Sequence, residues 1–331
     1  MPTTRRRFTQ SLTASLAASS LLPWQVLAQE VGLVKIINGF PAGGTADTTS
    51  RRIGERIAGS NYSRNPAVVE NKVGAAGRIA CEVVKNSPGD GSTLLLTPYS
   101  CMAIYPHSYT RLSYDPVLDF TPVSIAAVMT HGLAVGPAVP PEVKTLQEFL
   151  AWLRNNPRQA SFGTPGAGST PHFIGALMGL DAGIPLQHVA YRGSVPAIAD
   201  LIGGQVAATL TPTGDALANY KAGKIRLLAT SGAKRTPFTP DVPTLAETGF
   251  AELTTEEWFG FYAPARTPAP VVAAANAAIQ TALKERNVID SLATFGLVAQ
   301  GSTPEQMAQS QQREFLRWGP LVKKTGFTAE S

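Results

Sequence analysis

A short apolar run that breaks into a glycine-proline turn and restarts as a helix constrains this chain more than any other feature. Val34 to Ile37 reads as a buried strand and Asn38-Gly39-Phe40-Pro41-Ala42-Gly43-Gly44 as the turn. Thr45-Ala46-Asp47 then opens a helix whose face carries Ile53 and Ile57 four apart. Thr45 and Asp47 are residue types that cap free backbone amides. Gly43 and Gly44 lack a Cβ, so the chain can bend sharply and another molecule can approach its backbone. Unpaired N–H groups and the positive end of a helix dipole suit an anion. An ordinary strand-to-helix turn would read the same way, and both readings stay open on this stretch.

The stretch preceding it reads as an address. Thr4-Arg5-Arg6-Arg7-Phe8 contains a twin-arginine pair, Leu12 to Leu22 is weakly apolar, and Val26-Leu27-Ala28 resembles a small-residue cleavage site. Residues 1–28 are therefore expected to be an export signal, of twin-arginine or general secretory type, and the mature protein to work in the periplasm. The apolar part is shorter than the ~20 residues a membrane span needs, so the mature protein is not expected to be membrane-embedded. Without residues 1–28 the 331-residue chain keeps 303, enough for two lobes, and losing Arg5, Arg6 and Arg7 lowers the net charge from +5 to +2. Only 15% of residues are charged and no Lys/Arg cluster is interleaved with aromatics, which argues against a nucleic-acid partner. Cys81 and Cys101 are the only cysteines; two buried thiols or, in an oxidising compartment, a bridge would suit them.

Beyond the opening turn, strand and helix patterns alternate with short links, which predicts an α/β fold with largely parallel sheets. Strands are expected at 67–70, 92–97, 123–128, 186–191, 206–210, 225–229 and 258–263. Tyr99 and Ser100 fall in the exit of the third strand. Thr145-Leu146-Gln147-Glu148 and Thr244-Leu245-Ala246-Glu247 have the spacing of capping boxes. A second corner, Phe162-Gly163-Thr164-Pro165-Gly166-Ala167-Gly168-Ser169-Thr170-Pro171-His172, repeats the logic of the first. A strand runs into glycines, Thr170 can cap, and Pro171 suits the first helical turn.

Catalytic signatures are missing from the sequence. Gly166-Ala167-Gly168-Ser169-Thr170-Pro171 has Pro171 where a dinucleotide fingerprint needs a third glycine, Gly223-Lys224 is followed by Ile225, and no G-x-S-x-G occurs. His107, His131, His172 and His188 lack metal-ligand spacing and read as structural, with His172 kept as a candidate because it adjoins the second corner. Asp47 and Asp215 could form a carboxylate pair, although a helix cap explains each more simply. No cofactor is expected.

Two anion-ready corners on an exported α/β chain suit a hinged receptor that closes on a small anion. Several stretches, in order along the mature chain, resemble the receptors of tripartite tricarboxylate transporters, the Bug receptors. They are Phe40 to Asp47, Val69 to Gly77, Asp90 to Leu95, Phe162 to Ser169, Tyr191 to Ser194, Leu201 to Val206, Asp241 to Glu247 and Trp258 to Pro264. The resemblance implies a two-lobed periplasmic binding protein of type II-like α/β fold, each lobe a mainly parallel sheet flanked by helices. One lobe would comprise 29–127 and 255–331, the other 128–254. It further implies a small carboxylate ligand, di- or aromatic carboxylates included, held partly through water by the two corners, and delivery to the transmembrane permease subunits of such a transporter. A monomer is expected. Ala190, where the family usually has proline, and Cys81, where it has a small or aliphatic residue, depart from the pattern.

Carried onto this sequence, the expected ligand-binding residues of the first corner are Phe40, Gly43, Gly44, Thr45, Ala46 and Asp47. The second corner supplies Gly166, Ala167, Gly168, Ser169, Thr170 and His172. Tyr99, Ser100, Tyr191, Arg192, Thr211 and Asp215 at strand exits would supply specificity. Phe40 and Tyr99 could flank a flat ligand, and Arg192 could pair with a second carboxylate or else make a surface salt bridge. The alternatives are a ligand sensor for a signalling kinase and a secreted hydrolase or dehydrogenase.

Overall fold

Two sheets, each with helices on both faces, are built from one chain that passes between them twice. The computed structural model describes residues 31–329; the export signal expected over 1–28 lies outside them. The first sheet has the order β11-β4-β10-β3-β1-β2. Its strands are β1 (Lys35–Asn38), β2 (Val68–Asn71), β3 (Thr93–Pro98), β4 (Phe120–Met129), β10 (Glu257–Pro264) and β11 (Val298–Ala299). Strand β1 pairs in parallel with β2 and β3, whereas β10 lies antiparallel between β3 and β4, so four strands share one direction. The second sheet, β7-β6-β8-β5-β9, comprises β5 (His131–Val135), β6 (Ser161–Thr164), β7 (Gln187–Ala190), β8 (Ala208–Pro212) and β9 (Arg226–Thr230). There β5 is the strand that runs against its neighbours.

Strand β5 is, with the two-residue β11, an element the sequence reading left out. It starts one residue after β4 ends, with Thr130 between them, so the apolar pattern shows no break where the chain leaves the first sheet for the second. The return runs through Thr254 to Glu256 into β10. The pattern of β10 itself is plain, because every residue of Glu257–Pro264 is buried.

Helices are numbered from α1 (Thr45–Arg56) and α2 (Arg78–Lys85), through the short α3 (Tyr99–Ala103) and α4 (Tyr105–Ser108), to α5 (Leu146–Asn155) and α6 (Thr170–Ala182). They continue with α7 (Ser194–Ile202), α8 (Thr213–Lys221), α9 (Ala269–Ala282), α10 (Arg286–Thr294) and α11 (Pro304–Thr325). The Thr145–Glu148 box caps α5 as expected, with Glu148 N donating to Thr145 Oγ1 and Thr145 N to Glu148 Oε2. The Thr244–Glu247 box forms the same two bonds, but only turns follow it.

The strands are apolar on both faces because each sheet is covered on both. Successive residues point to opposite sides, so Ile36, Leu94, Leu96, Phe259 and Phe261 join Ile53 of α1 and Ile279 of α9 in one core. Their neighbours Ile37, Leu95, Trp258 and Tyr262 join Val84 of α2 and Trp318 of α11 in the other. Cys81 and Cys101 sit buried and unbridged in this second core. In the second sheet Leu133 and Val135 pack towards α5 and α6, and Ala134 towards α7 and α8.

Candidate functional site

Between the sheets lies a cavity with about 490 Å³ of space free of atoms, so it suits a small molecule and not a polymer. Four helices of nine or more residues begin at its wall, α1 at Gly44 and Thr45, α6 at Ser169 and Pro171, α7 at Ser194 and Val195, and α8 at Pro212 and Asp215, and the short α3 starts there too, at Pro98 and Ser100. Their N-termini direct positive dipole ends at the cavity, which can hold an anion without a cationic side chain. Phe40, Phe259, Met129 and several prolines make most of the wall apolar. Among the described residues no lysine or arginine lines it.

The first corner is held open by its own acid. Gly43 has φ +82°, and its amide donates to Asp47 Oδ2 at 3.0 Å. Arg51 Nε also donates to Oδ2, and Asn71 Nδ2 to Oδ1. Burial opposes the charged form of Asp47, but these three donors outweigh it and hold the carboxyl below its usual range. The residue that caps α1 is Gly44, which makes no side-chain cap bond. Asp47 thus fastens the preceding turn instead of capping the helix, and it does not line the cavity.

Asp215, also expected as a cap, reaches across the cleft. Its Oδ1 accepts the Thr45 amide of α1 at 2.7 Å. Burial raises its pKa against hydrogen bonds from Ser194 and Thr45 that favour the charge. Glu257, at the start of β10, pairs with His131, at the start of β5, at 2.8 Å, with side chains only 2% and 1% exposed. The other oxygen of Glu257 accepts the Ser100 amide at 3.0 Å. His131, read from sequence as a lone structural histidine, and Glu257, passed over there, both line the cavity. Only their positions at the two strand starts next to the chain crossings could have marked them.

Of the expected residues, Phe40, Gly44, Thr45, Ala46, Ser100, Ser169 and Asp215 line the cavity. The other expected residues lie elsewhere. Tyr99 is fully buried behind it, its hydroxyl 3.2 Å from Thr255 Oγ1 and accepting from Trp318 Nε1. Gly166, Ala167 and Gly168 meet the first lobe directly. A Cβ on Gly166 would stand 2.4 Å from that of Ala76, and Tyr109 donates its hydroxyl hydrogen to the Ala167 carbonyl. Thr170 is fully buried one residue beyond the true cap, Ser169. His172 accepts the Gly168 amide on Nδ1 and stacks on His188 at 3.9 Å. Tyr191 donates to Asp200 within the second lobe. Thr211 is buried in β8, and Arg192 is exposed, without an ion pair among the described residues. No cluster of three or more His, Cys, Asp or Glu side chains among the described residues could hold a metal ion, and no helix there is long and apolar enough to cross a membrane.

Comparison with known proteins agrees with this architecture. The model of the tripartite tricarboxylate transporter family receptor matches residues 56–327. BugT of Bordetella pertussis is 30% identical over 88% of this chain and 89% of its own length. Among solved structures, MatC from Rhodopseudomonas palustris with bound malate superposes with a TM-score of 0.82 at 29% identity, covering 88% of this chain and 99% of that one. Rpa4515 of R. palustris with adipate gives 0.83 at 29% identity, over 93% and 100%. The fold is that of a two-lobed periplasmic binding protein, and the chain belongs to the receptor family of the tripartite tricarboxylate transporters, a family of solute-binding receptors.

Proposed function

We propose that the mature chain, exported to the periplasm, captures a small carboxylate in the interlobe cavity and delivers it to the transmembrane permease subunits of its transporter. The observation that carries the carboxylate reading is the convergence of four helix N-termini on one largely apolar cavity between the sheets. The bound malate and adipate of the two R. palustris proteins support it. The α6 start, at Ser169 and Pro171, is the seat for the ligand carboxylate, because no acid occupies the first turn of that helix, whereas at the start of α7, whose first turn also lacks one, Ser194 is turned to Asp215. Phe40, Thr45, Ser100 and Ser169 would touch the solute, and the two lobes, 29–127 with 255–331 and 128–254, would close on it as a monomer.

Thermal-shift screening of the mature protein against mono-, di- and aromatic carboxylates tests this. A ligand at one hundred times its Kd adds about 2.7 kcal/mol of stability, and turnover assays on any hit should show binding without product. No stabilisation by any carboxylate at millimolar concentration would refute the reading.

A further inference from the structure

The charges around the cavity divide it into two ends. Each of the four helix N-termini supplies roughly half a positive charge, and Asp215 and Glu257 oppose them. These carboxylates are not spread evenly. Asp215 stands against the start of α1 and Glu257 against Ser100, whereas the start of α6 has no acid in its first turn. His131 lies beside Glu257, its Nε2 2.8 Å from Oε2, and lines the same cavity; neither buried ring nitrogen makes a hydrogen bond of good geometry among the described residues, and Nδ1 has no polar contact at all to stand in for one. In the tautomer that places its proton on Nε2, facing Glu257, Nδ1 is an acceptor. With that tautomer one end of the cavity gathers three acceptors, Asp215, Glu257 and His131 Nδ1, and among the described residues no lysine or arginine lines the cavity to balance the two acids.

We propose that the solute is a zwitterion, with a carboxylate at the Ser169 end and an ammonium group at the Asp215–Glu257–His131 end of one small apolar body. The proposal rests on the carboxylate reading above and narrows it. An ammonium group has three N–H donors and one positive charge, which matches the three acceptors in number and the two acids in sign. A second carboxylate would face Asp215 and Glu257 with no lysine or arginine in the lining to accept it. A purely apolar tail would leave His131 Nδ1 buried without a partner. Asp215, which burial pushes towards its neutral form, would regain a counter-charge. Phe40 and Phe259 suit the apolar body between the two ends.

Calorimetry on the mature protein tests this with matched probes: the standard L-amino acids, the same acids lacking the amino group, and the dicarboxylates malate and adipate. At least one amino acid should bind ten or more times tighter than its deaminated counterpart and than either dicarboxylate. Asp215→Asn should cut that ratio to about threefold or less, and Glu257→Gln should narrow it as well, each after a melting curve has shown a folded protein. Binding of deaminated acids or dicarboxylates as tightly as, or tighter than, every amino acid by the parent protein would overturn the zwitterion while leaving a carboxylate receptor standing. Binding of none of the three sets would count against both.

Discussion

The carboxylate of Asp215, on the first turn of a helix in the second lobe, accepts the backbone amide of Thr45, on the first turn of a helix in the first lobe, at 2.7 Å. The second lobe thereby supplies an acceptor to a helix terminus of the first. A hydrogen bond to a charged group contributes roughly 1.5–3 kcal/mol, or a tenfold to hundredfold bias between two arrangements. Asp215→Ala should therefore shift the ligand-free protein towards an open form. Small-angle scattering would register a larger radius of gyration than the parent's, and an unchanged radius would show that the bond does not hold the lobes.

Closure should depend on how near Gly166 comes to Ala76. A Cβ on Gly166 would stand 2.4 Å from the Ala76 Cβ, closer than two such atoms can pack. Ala76 itself is held at φ +54°, with its carbonyl accepting the Tyr105 hydroxyl, so it has little freedom to yield. Gly166→Ala should weaken ligand binding by tenfold or more with a melting temperature close to the parent's. Parent-like affinity would mean that the lobes tolerate a wider gap.

Asp47→Asn should cost stability and little affinity. Asp47 accepts from Gly43, Arg51 and Asn71 and lies outside the cavity lining. Its lowered pKa makes its contribution present above the usual carboxylate range and lost as pH falls below it. About 1–3 kcal/mol should disappear in urea titration at neutral pH, with Kd changed less than threefold. Complete loss of binding in a folded variant would contradict this.

Arg192→Ala should leave binding of mono- and dicarboxylates within threefold of the parent. Arg192 is exposed, has no ion-pair partner among the described residues, and stands outside the lining. A tenfold loss confined to dicarboxylates in calorimetry would restore it as a ligand-reading residue.

Acid should destabilise the second lobe through its stacked histidines. Burial holds His172 at about 3, with His188 adding to the effect, and holds His188 at about 4. The unfolded chain takes up these protons near pH 6.5 and the folded one does not, so stability is full above that value and falls as pH drops towards 4. Each imidazole contributes a slope of at most about 1.4 kcal/mol per pH unit. Urea titrations between pH 7.5 and 4.5 should show the decline, and His188→Gln should flatten it. A flat profile in the parent would exclude the pair as its source.

The first corner was legible because three local signals agree there: an apolar run, glycines able to take φ +82°, and a helix pattern behind them. Side-chain direction was not legible. Tyr99 and Ser100 are adjacent in α3, and the turn of one helical residue sends the tyrosine into the core and leaves the serine in the lining. The His131–Glu257 pair was invisible for another reason. Nothing local marks either residue, and only the long-range arrangement of β5 and β10 brings them together. Asp215 was legible as a residue beside the cleft but not as a cap for a helix in the opposite lobe.

His131 and Glu257 stand at the first residues of β5 and β10, the strands by which the chain enters the second sheet and re-enters the first. Points beside a hinge travel least when the two halves part. The floor of the cleft should thus keep its acid and imidazole in place in the open receptor, while the rims at Pro41 and Gly193, in contact when shut, swing away. An arriving solute would be sorted at the floor before the roof comes down. Selectivity would then show as mismatched solutes leaving the open form quickly, an early fast phase in stopped-flow traces, and not as a slower closing step.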